Sequence, residues 1–387
     1  MKDVKKLVKD ILPSVKLFLV WRIGLLVVAF LAGRWLPFRP SFPYWDSILS
    51  NLSSSQFIWQ WANFDGPHYI TIAEKGYVGT GLIQAFFPLY PLTIRWFSKI
   101  FDNYLYSGLI ISNLVFVFAL YYFRQLIKLE KIKESKFTLL SLLLFPTSFY
   151  FGALYSESLF FLFVILCFLG LYKKQWFKAV LFASLASATR LVGIFLAPAI
   201  LYEYYQSREK KEKSKIILYL KSIFLTLLSI SGFMLFCFYL NKHFSDPFFF
   251  AQVQSGFGAS RQTDKLILFH QVVWRYLKMM FTIKGNGALF FTITQEFFIS
   301  LLVLGLLIWG VIKKIKKPYL IYSFGSFLLP TLTGNLSSMP RYISLIFPLY
   351  FILDGIKNKW LKLVILVVSG TLLVINTALF VRGFWIA

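Results

Sequence analysis

The sequence predicts an all-α, polytopic transmembrane helix bundle, because of its composition and the way its charges alternate with apolar runs. Of its 387 residues, 58% are hydrophobic and only 15% are charged, and the mean hydropathy is +0.68. Soluble globular proteins are about 45–50% apolar and about 25% charged. The composition therefore excludes a soluble enzyme, a disordered chain and a fibrous protein.

Basic clusters separate the apolar runs and orient them. After a lysine-rich N-terminus, such clusters lie at 128–136, 173–178, 206–215, 313–317 and 357–362. The positive-inside rule places clusters of this kind in the cytoplasm. The net charge of +25 is thus assigned to cytoplasmic loops, and no nucleic-acid partner is inferred.

The apolar runs between these clusters predict about 11 crossings, with the N-terminus in the cytoplasm and the C-terminus outside. Nine runs follow directly from the pattern: 15–33, 105–127, 137–151, 153–172, 216–240, 290–312, 319–333, 342–356 and 361–382. Segment 177–205 is divided at Arg190 into two short, broken crossings. Segment 82–100, with two prolines and Arg95, is interpreted as an interfacial or re-entrant piece on the outer face.

Two long outer loops result, 34–104 and 241–289, within one membrane domain over 1–387. Amphipathic stretches at 48–61 and 266–281 are expected to lie on the membrane surface. Both cysteines fall inside apolar runs and the three histidines are scattered, so the sequence indicates neither a disulfide framework nor a metal site.

Eight acidic residues are predicted to face outward: Asp46, Asp65, Glu74, Asp102, Glu157, Asp246, Asp264 and Glu296. A carboxylate at the edge of the bilayer core is costly unless it is paired or functional. Asp65, His68 and Tyr69 place an acid, an imidazole and a phenol within five residues. Asp65 could be an ordinary helix N-cap, since an Asp-Gly-Pro turn can open a helix. The alternative is an acid/base site.

Further candidates follow later in the chain. Glu157, after Tyr155, is either a helix-start carboxylate or part of a site. Arg190 has no basic loop near it, so it needs an anionic partner, either Glu157 or a ligand phosphate. Arg341, before Tyr342, is either an interfacial anchor or part of the same outward site. Aromatic residues of the first outer loop could stack on sugars or anchor in the interface: Trp45, Trp59, Trp61, Tyr69, Tyr77 and Tyr90.

These motifs together resemble PIG-V-type mannosyltransferases. The matching segments are, in the family's order, Trp61–Tyr69 (WANFDGPHY), Ile72-Ala73, Gly76-Tyr77, Ala85–Pro91 (AFFPLYP), Pro146–Ser148, Tyr155–Ser158, Arg190 with Gly193, Pro340–Tyr342 and Phe347–Leu349. The resemblance implies a GT-C fold and an integral-membrane glycosyltransferase that uses a polyprenyl-phosphate sugar. For PIG-V itself, the donor is dolichol-phosphate-mannose and the product is a precursor of GPI anchors. The Lys-, Ile- and Phe-rich composition and the compact loops indicate a prokaryotic homologue.

The resemblance implies the role of Asp65, and the expected chemistry suggests roles for the other candidate residues. Asp65 would be the general base of an inverting single displacement, with His68 and Glu157 orienting the base or the acceptor. Arg341 and Arg190 would hold the donor phosphate. The expected substrate contacts are Tyr69, Tyr77, Tyr155 and Tyr342. Mannose would pass to a lipid-linked or surface glycan without a metal or other cofactor. The protein would lie in the plasma membrane of a prokaryote, or in the endoplasmic reticulum membrane of a eukaryote.

A transporter or scramblase for lipids or glycans is the competing interpretation, because short broken helices and an intramembrane arginine are natural there too. Transporters commonly consist of related halves with charges near the bilayer midplane. This sequence has no recognisable halves, and its outward acids gather at one surface. That arrangement favours an enzyme, and it also argues against a purely structural scaffold.

Overall fold

The computed structural model describes residues 2–209, 214–257, 267–283 and 287–386. Within these ranges there are helices and loops but no β-strand, which confirms the all-α prediction. The helices are α1 (Lys2–Trp35), α2 (Ser50–Leu52), α3 (Gln56–Trp59), α4 (Gly66–Lys75), α5 (Leu89–Phe101), α6 (Tyr104–Leu129), α7 (Ser135–Leu143), α8 (Glu157–Tyr172), α9 (Trp176–Thr189), α10 (Leu196–Arg208), α11 (Lys215–Ser229), α12 (Ser231–Phe244), α13 (Phe249–Gln252), α14 (Phe269–Thr282), α15 (Gly287–Ile312), α16 (Lys317–Thr331), α17 (Met339–Ser344), α18 (Pro348–Asp354) and α19 (Lys359–Val381).

Single short turns of other helix types connect these elements. Five are 3-10 turns, at Gln60–Ala62, Ile83–Ala85, Ser148–Gly152, Leu191–Phe195 and Val253–Phe257, and a π-helical turn covers Trp45–Leu49. The described chain forms two compact units. Unit 1 lies within 1–76, 90–162 and 354–387, and unit 2 lies within 77–89 and 163–353. The prediction of a single membrane domain remains a prediction.

Four helices of the described chain are long and apolar enough to cross a membrane. They are α1 from Lys9 onward, α6, α15 and α19. A fifth span is obtained if α11 and α12 count as one bent crossing. The remaining crossings of the predicted set fall on shorter helices such as α8 and α9, and they stay predictions.

The run 216–240 is predicted to be one crossing, and this prediction remains open because the run is not one straight helix. It is divided into α11 and α12, which meet at a bend of 58°. The bend follows from close packing on α9. A Cβ at Gly232 would lie 2.2 Å from the carbonyl oxygen of Ser184. Ser187 Oγ also accepts a hydrogen bond of 3.1 Å from the backbone N–H of Phe233. A side chain of α9 thus takes part in the backbone hydrogen bonding at the start of α12, as is common at helix bends.

Prolines break two further predicted crossings into shorter helices. The run 342–356 is two helices, α17 and α18, because Pro348 at the start of α18 cannot continue the hydrogen bonding of the preceding turn. In the run 137–151, helix α7 ends at Leu143, shortly before Pro146. A proline disfavours the helical conformation of the residue before it, so the helix does not continue up to Pro146. Both predicted crossings therefore consist of shorter helical pieces, and whether each spans the membrane remains a prediction.

In unit 1, two of the basic clusters lie at the same end. Lys362 Nζ is 3.0 Å from a carboxylate oxygen of Glu134, and Asp354 Oδ1 accepts the backbone N–H of Glu134 at 3.1 Å. The loops at 128–136 and 357–362 therefore share one end of unit 1. This agrees with the expectation that both clusters face the same side of the membrane.

In unit 2, the basic loops also lie at one end. Lys316 Nζ lies 4.9 Å from the ring centre of Tyr172, at the end of α8, and Lys317 Nζ lies 5.5 Å from that of Tyr202 in α10. The clusters beginning at 173, 206 and 313 therefore share an end. Part of the second cluster, 210–213, lies outside the described residues.

The second outer loop contains the predicted amphipathic helix. The expected stretch 266–281 is α14, and it exposes the large apolar side chains of Trp274 and Phe281. In the first outer loop, the stretch 48–61 is divided among short helical turns. Asp264, one of the acids expected to face outward, lies outside the described residues.

Candidate active site

The loop that carries Asp65 lies at the end of unit 1 opposite the basic loops. Helix α19 begins at Lys359, beside the basic loop, and runs for 23 residues, or about 35 Å. At its far end, the carbonyl oxygen of Phe380 accepts a hydrogen bond of 2.8 Å from Asn63 Nδ2. Asp65 follows two residues later, so it lies at the end of unit 1 away from the basic loops, and its outward orientation remains a prediction.

The backbone beside Asp65 is strained and locked by its surroundings. Phe64 has a φ of 66°, in the left-handed region that non-glycine residues rarely adopt. A conformation of this kind costs roughly 1–3 kcal/mol and persists only where the neighbouring structure holds it. The Phe64 ring is held by Phe42 at 4.7 Å and Trp385 at 5.4 Å between ring centres. Aromatic packing thus sets the direction of the chain at Asp65.

Tyr155 holds both sides of this strained residue. Its hydroxyl donates a hydrogen bond to the carbonyl oxygen of Asn63 at 2.7 Å and accepts one from the backbone N–H of Asp65 at 3.1 Å. Tyr155 is almost completely buried. The sequence suggested Tyr155 as a substrate contact, whereas its geometry is that of a residue that positions Asp65.

Asp65 occupies the N-cap position of α4, as one of the two interpretations predicted. However, its side chain makes no capping hydrogen bond to the helix. The side chain is partly exposed, in a loop where most neighbouring residues are buried. The carboxylate therefore does not act as the cap of α4.

His68 lies in the first turn of α4, three residues after Asp65, and is also partly exposed. Burial lowers the pKa of His68, and the nearby charge of Asp65 partly raises it again. The balance lies below the usual histidine value, so the neutral imidazole predominates at neutral pH. Neutral imidazole can both donate and accept a hydrogen bond.

The Tyr155–Ser158 motif meets the Asp65 loop within unit 1. The hydroxyls of Tyr69 and Ser156 lie 3.2 Å apart, and the Tyr69 ring contacts that of Tyr90 edge to face at 5.0 Å. Glu157, at the start of α8, is fully buried. Burial raises the pKa of the Tyr90 phenol, and the charge of Glu157 raises it further. The structure thus brings Asp65, His68, Tyr69 and Glu157 into one region.

In unit 2, the chain breaks at Arg190, as the sequence predicted. Helix α9 ends at Thr189, and Arg190 is extended with φ −153° and ψ 144°. The backbone N–H of Gly193 then donates to the carbonyl of Arg190 at 2.9 Å. A Cβ on Gly193 would lie 2.6 Å from backbone atoms of Ala186 and Ser187, so only glycine fits this return toward α9.

The predicted cationic residues of unit 2 lie together at the end opposite its basic loops. Both α9 and α16 begin beside those loops, so Arg190 and the segment after α16 lie at the other end. The guanidinium of Arg190 lies 4.9 Å from the ring centre of Tyr342. Arg341, the residue before Tyr342, is only 8% exposed, as is Arg190. The nearly buried Arg190 therefore contacts the residue that follows the nearly buried Arg341 in the chain.

Sequence reasoning lists Glu296 among the outward acids but does not connect it with the loop before Arg341, and it misses Tyr276. Buried Glu296 accepts hydrogen bonds from the backbone N–H of Ser338 at 2.9 Å and from the Tyr276 hydroxyl at 2.8 Å. The Tyr276 hydroxyl in turn accepts the backbone N–H of Leu336 at 3.0 Å. Burial raises the pKa of Tyr276, and the negative charge of Glu296 raises it further. The one sequence signal for this arrangement is Glu296, a lone acid within an apolar run.

The remaining predicted contact, Tyr77, is anchored inside unit 2. Its hydroxyl donates to the carbonyl oxygen of Phe86 at 2.7 Å, and the residue is 6% exposed. Tyr69 and Tyr155 are likewise almost fully buried. The structure therefore presents these tyrosines as framework around the site, and substrate contact by their ring edges remains a proposal.

One cavity of about 600 Å³ in unit 2 has a different character. Its lining is almost entirely apolar and includes no charged side chain: Pro198, Leu201, Tyr202, Tyr205, Tyr219, Ser222, Ile223, Thr226, Leu227 and Ile321. It contains none of the predicted site residues. Within the part of the chain that the structure describes, no group of three or more His, Cys, Asp or Glu side chains could hold a metal ion.

Apolar helices long enough to span a membrane define an integral membrane protein, and in each unit the candidate polar residues lie at the end opposite its own basic loops. Residues 36–331 match the family Mannosyltransferase (PIG-V). The chain belongs to this family, so the protein is a membrane mannosyltransferase. No curated protein matches the chain.

Proposed function

We propose that the protein transfers mannose from a polyprenyl-phosphate donor to a hydroxyl of a lipid-linked or surface glycan, with Asp65 as general base. The single observation that carries this proposal is the arrangement at Asp65. Its backbone is locked by Tyr155 and by the strained Phe64, and its carboxylate does not cap α4. A rigidly placed, partly exposed carboxylate is what proton abstraction from an acceptor requires.

The proposed reaction is one displacement at the anomeric carbon of the donor mannose. The acceptor oxygen forms a bond to this carbon while the bond from the carbon to the phosphate oxygen breaks. Asp65 takes the hydroxyl proton, and polyprenyl phosphate leaves with the electron pair. Because attack and departure occur on opposite faces, the product has the inverted anomeric configuration. General-base catalysis of this kind contributes about 10²–10⁴-fold.

Two neighbours of Asp65 support this chemistry in unit 1. His68 is held neutral by burial, so it can donate or accept a hydrogen bond without adding a charge beside the base. Glu157 is buried at the start of α8, next to the Tyr69–Ser156 contact. We assign His68 and Glu157 to orienting the acceptor and the base.

We assign the donor phosphate to the cationic residues of unit 2, Arg341 and Arg190. A guanidinium can bind two phosphate oxygens at once and stays charged at any working pH. As the donor bond breaks, negative charge grows on those oxygens, and preorganised cations stabilise it. The nearly buried positions of both side chains strengthen this interaction, since water screens it less.

The decisive experiment measures mannose transfer from polyprenyl-phosphate-mannose to a panel of hydroxyl acceptors by purified protein. Asp65→Asn is expected to reduce the transfer rate by about 10²-fold or more while the protein level stays near wild type. The matched control is Asp46→Asn, an exposed acid of the same loop, which should keep wild-type activity. Retained transfer by Asp65→Asn would remove this residue as the base.

The donor assignment has its own test. Arg341→Ala is expected to raise the KM for the donor, and to leave the KM for the acceptor near wild type. An unchanged donor KM would exclude Arg341 from phosphate binding. NMR analysis of the product's anomeric configuration tests the inverting course, and retention of the donor's configuration would contradict a single displacement.

A further inference from the structure

In the segment before Arg341, residues 335–338, three successive backbone N–H groups donate hydrogen bonds to side chains of the protein. Leu336 N–H donates to the Tyr276 hydroxyl at 3.0 Å, Ser337 N–H to Asn335 Oδ1 at 3.0 Å, and Ser338 N–H to Glu296 at 2.9 Å. This is an unusually complete set of anchors for a loop of irregular structure. The loop is therefore held in one conformation rather than adapting to its surroundings.

The same segment is strained, and its preceding residue is also anchored. Ser338 has a φ of 65°, which costs a non-glycine residue free energy and needs support from its neighbours. The Gly334 carbonyl accepts a hydrogen bond of 2.9 Å from a guanidinium nitrogen of Arg275. Strained backbone that is held from several sides is common where a loop must present groups to a ligand.

Two buried polar atoms of this loop make no hydrogen bond to any described residue. They are Asn335 Nδ2 and Ser337 Oγ, on side chains that are 5% and 8% exposed. The Asn335 amide is oriented by its own Oδ1, which is occupied by Ser337 N–H. Its nitrogen can only donate, and a serine hydroxyl can donate as well. Burying such donors without acceptors costs roughly 1–3 kcal/mol each.

We propose that Asn335 and Ser337 are two further ligands of the donor's phosphate group, presented beside Arg341 by the loop that Glu296 and Tyr276 hold. This proposal rests on the proposed function, in which Arg341 binds that phosphate. A phosphate carries several strong acceptor oxygens and no obligatory donor, so it complements an amide N–H₂, a hydroxyl and a guanidinium together. Glu296 is then a positioning residue that acts through the backbone of Ser338.

The test compares three variants with the wild-type enzyme. Asn335→Asp keeps the Oδ1 acceptor for Ser337 N–H but replaces the donating nitrogen by a negatively charged oxygen. Ser337→Ala removes the hydroxyl and keeps the backbone contact. The matched control is Ser323→Ala, in α16 of the same unit, whose buried hydroxyl likewise has no partner among the described residues.

The measurements are the KM for polyprenyl-phosphate-mannose, the kcat, and the inhibition constant of sugar-free polyprenyl phosphate. Asn335→Asp is expected to raise both the donor KM and this inhibition constant by about tenfold or more. Ser337→Ala should raise both several-fold, while Ser323→Ala leaves both within about twofold. The acceptor KM should stay near wild type in every variant.

The outcomes separate this inference from the proposed function. If Arg341→Ala raises the donor KM but Asn335→Asp and Ser337→Ala do not, the loop ligands are wrong and the donor site stands. If the variants raise the donor KM without changing inhibition by polyprenyl phosphate, they contact the sugar and the phosphate assignment is overturned. If Asn335→Asp does not fold, the comparison of Ser337→Ala with Ser323→Ala in donor KM and in inhibition by polyprenyl phosphate tests the proposal. An equal effect of these two serine variants would also overturn it.

Glu296→Gln adds a separate check on the positioning role. The substitution keeps an oxygen that can accept Ser338 N–H, so it should change the donor KM far less than Glu296→Ala. Loss of donor affinity in Glu296→Ala with substantial rescue in Glu296→Gln supports positioning through the loop. Equal loss in both variants would contradict it.

Discussion

The hydroxyl of Tyr155 accepts a hydrogen bond from the backbone N–H of Asp65 at 3.1 Å, although the two residues are 90 positions apart in the chain. The same hydroxyl donates to the carbonyl of Asn63. One phenol therefore fixes the backbone on both sides of Phe64, whose left-handed conformation turns the chain toward α4. The position of the candidate base therefore depends on this side chain together with the aromatic packing around Phe64.

Tyr155→Phe should lower kcat for mannose transfer by about tenfold or more, because small displacements of a catalytic group are costly. The variant loses two neutral hydrogen bonds, each worth about 0.5–1.5 kcal/mol, so it should remain folded with a lower thermal midpoint. Steady-state kinetics and a thermal unfolding curve in detergent measure both effects. A wild-type kcat with unchanged donor KM would show that Asp65 does not depend on Tyr155.

Gly66→Ala tests the close contact at the start of α4. An added Cβ would lie 2.8 Å from the Cβ of Ala62, so the turn that carries Asp65 must shift. We expect a destabilisation of about 1–3 kcal/mol and a clear loss of transfer activity. Gly24→Ala in α1 is the matched control, since an added Cβ there meets nothing within 4 Å.

A second substitution makes this test specific. Ala62→Gly removes the methyl group that Gly66→Ala would strike, so the double variant should recover much of the lost activity and stability. The coupling energy between the two changes, taken from the four thermal unfolding curves, is then clearly non-zero. Purely additive effects would show that the clash at this position is not the cause.

His68 should titrate at lower pH when Asp65 is neutralised. Burial lowers the pKa of His68, and the carboxylate of Asp65 is the group that raises it. Asp65→Asn removes the raising charge, so the pKa falls further and the neutral imidazole persists to more acidic pH. An NMR titration of labelled histidine measures this shift, with Asp46→Asn as the variant that should leave the pKa unchanged. A rise of the pKa in Asp65→Asn would contradict the electrostatic contact.

Single cysteines test the orientation of unit 1. In a background with Cys167→Ala and Cys237→Ser, Asp46→Cys should react with a membrane-impermeant maleimide added to intact cells or outward-facing vesicles. Lys357→Cys should react only after the membrane is permeabilised. Both positions are exposed, so access and not burial decides the result. Labelling of both residues from the same side would refute the predicted topology.

Local patterns predicted a good part of the fold and the site. The break at Arg190 follows from its position between two basic loops, and α19 and α15 agree closely with the runs 361–382 and 290–312. The runs 216–240 and 342–356 are predicted as crossings, and each contains two helices with a break between them. The first break depends on the packing of α9 against Gly232, and the second depends on the turn before Pro348. A hydropathy profile does not report backbone packing, and a single proline changes it too little to reveal a break.

The sequence by itself determined that this is an all-α membrane protein of the PIG-V mannosyltransferase family, because composition, charge clusters and short motifs are local properties that survive without coordinates. It also singled out Asp65, His68, Arg190 and Arg341. Only the tertiary structure decided how those residues are held: Tyr155 against Asp65, and Glu296 against the loop before Arg341. Such hydrogen bonds join residues 42 to 90 positions apart, and their geometry depends on how the helices pack.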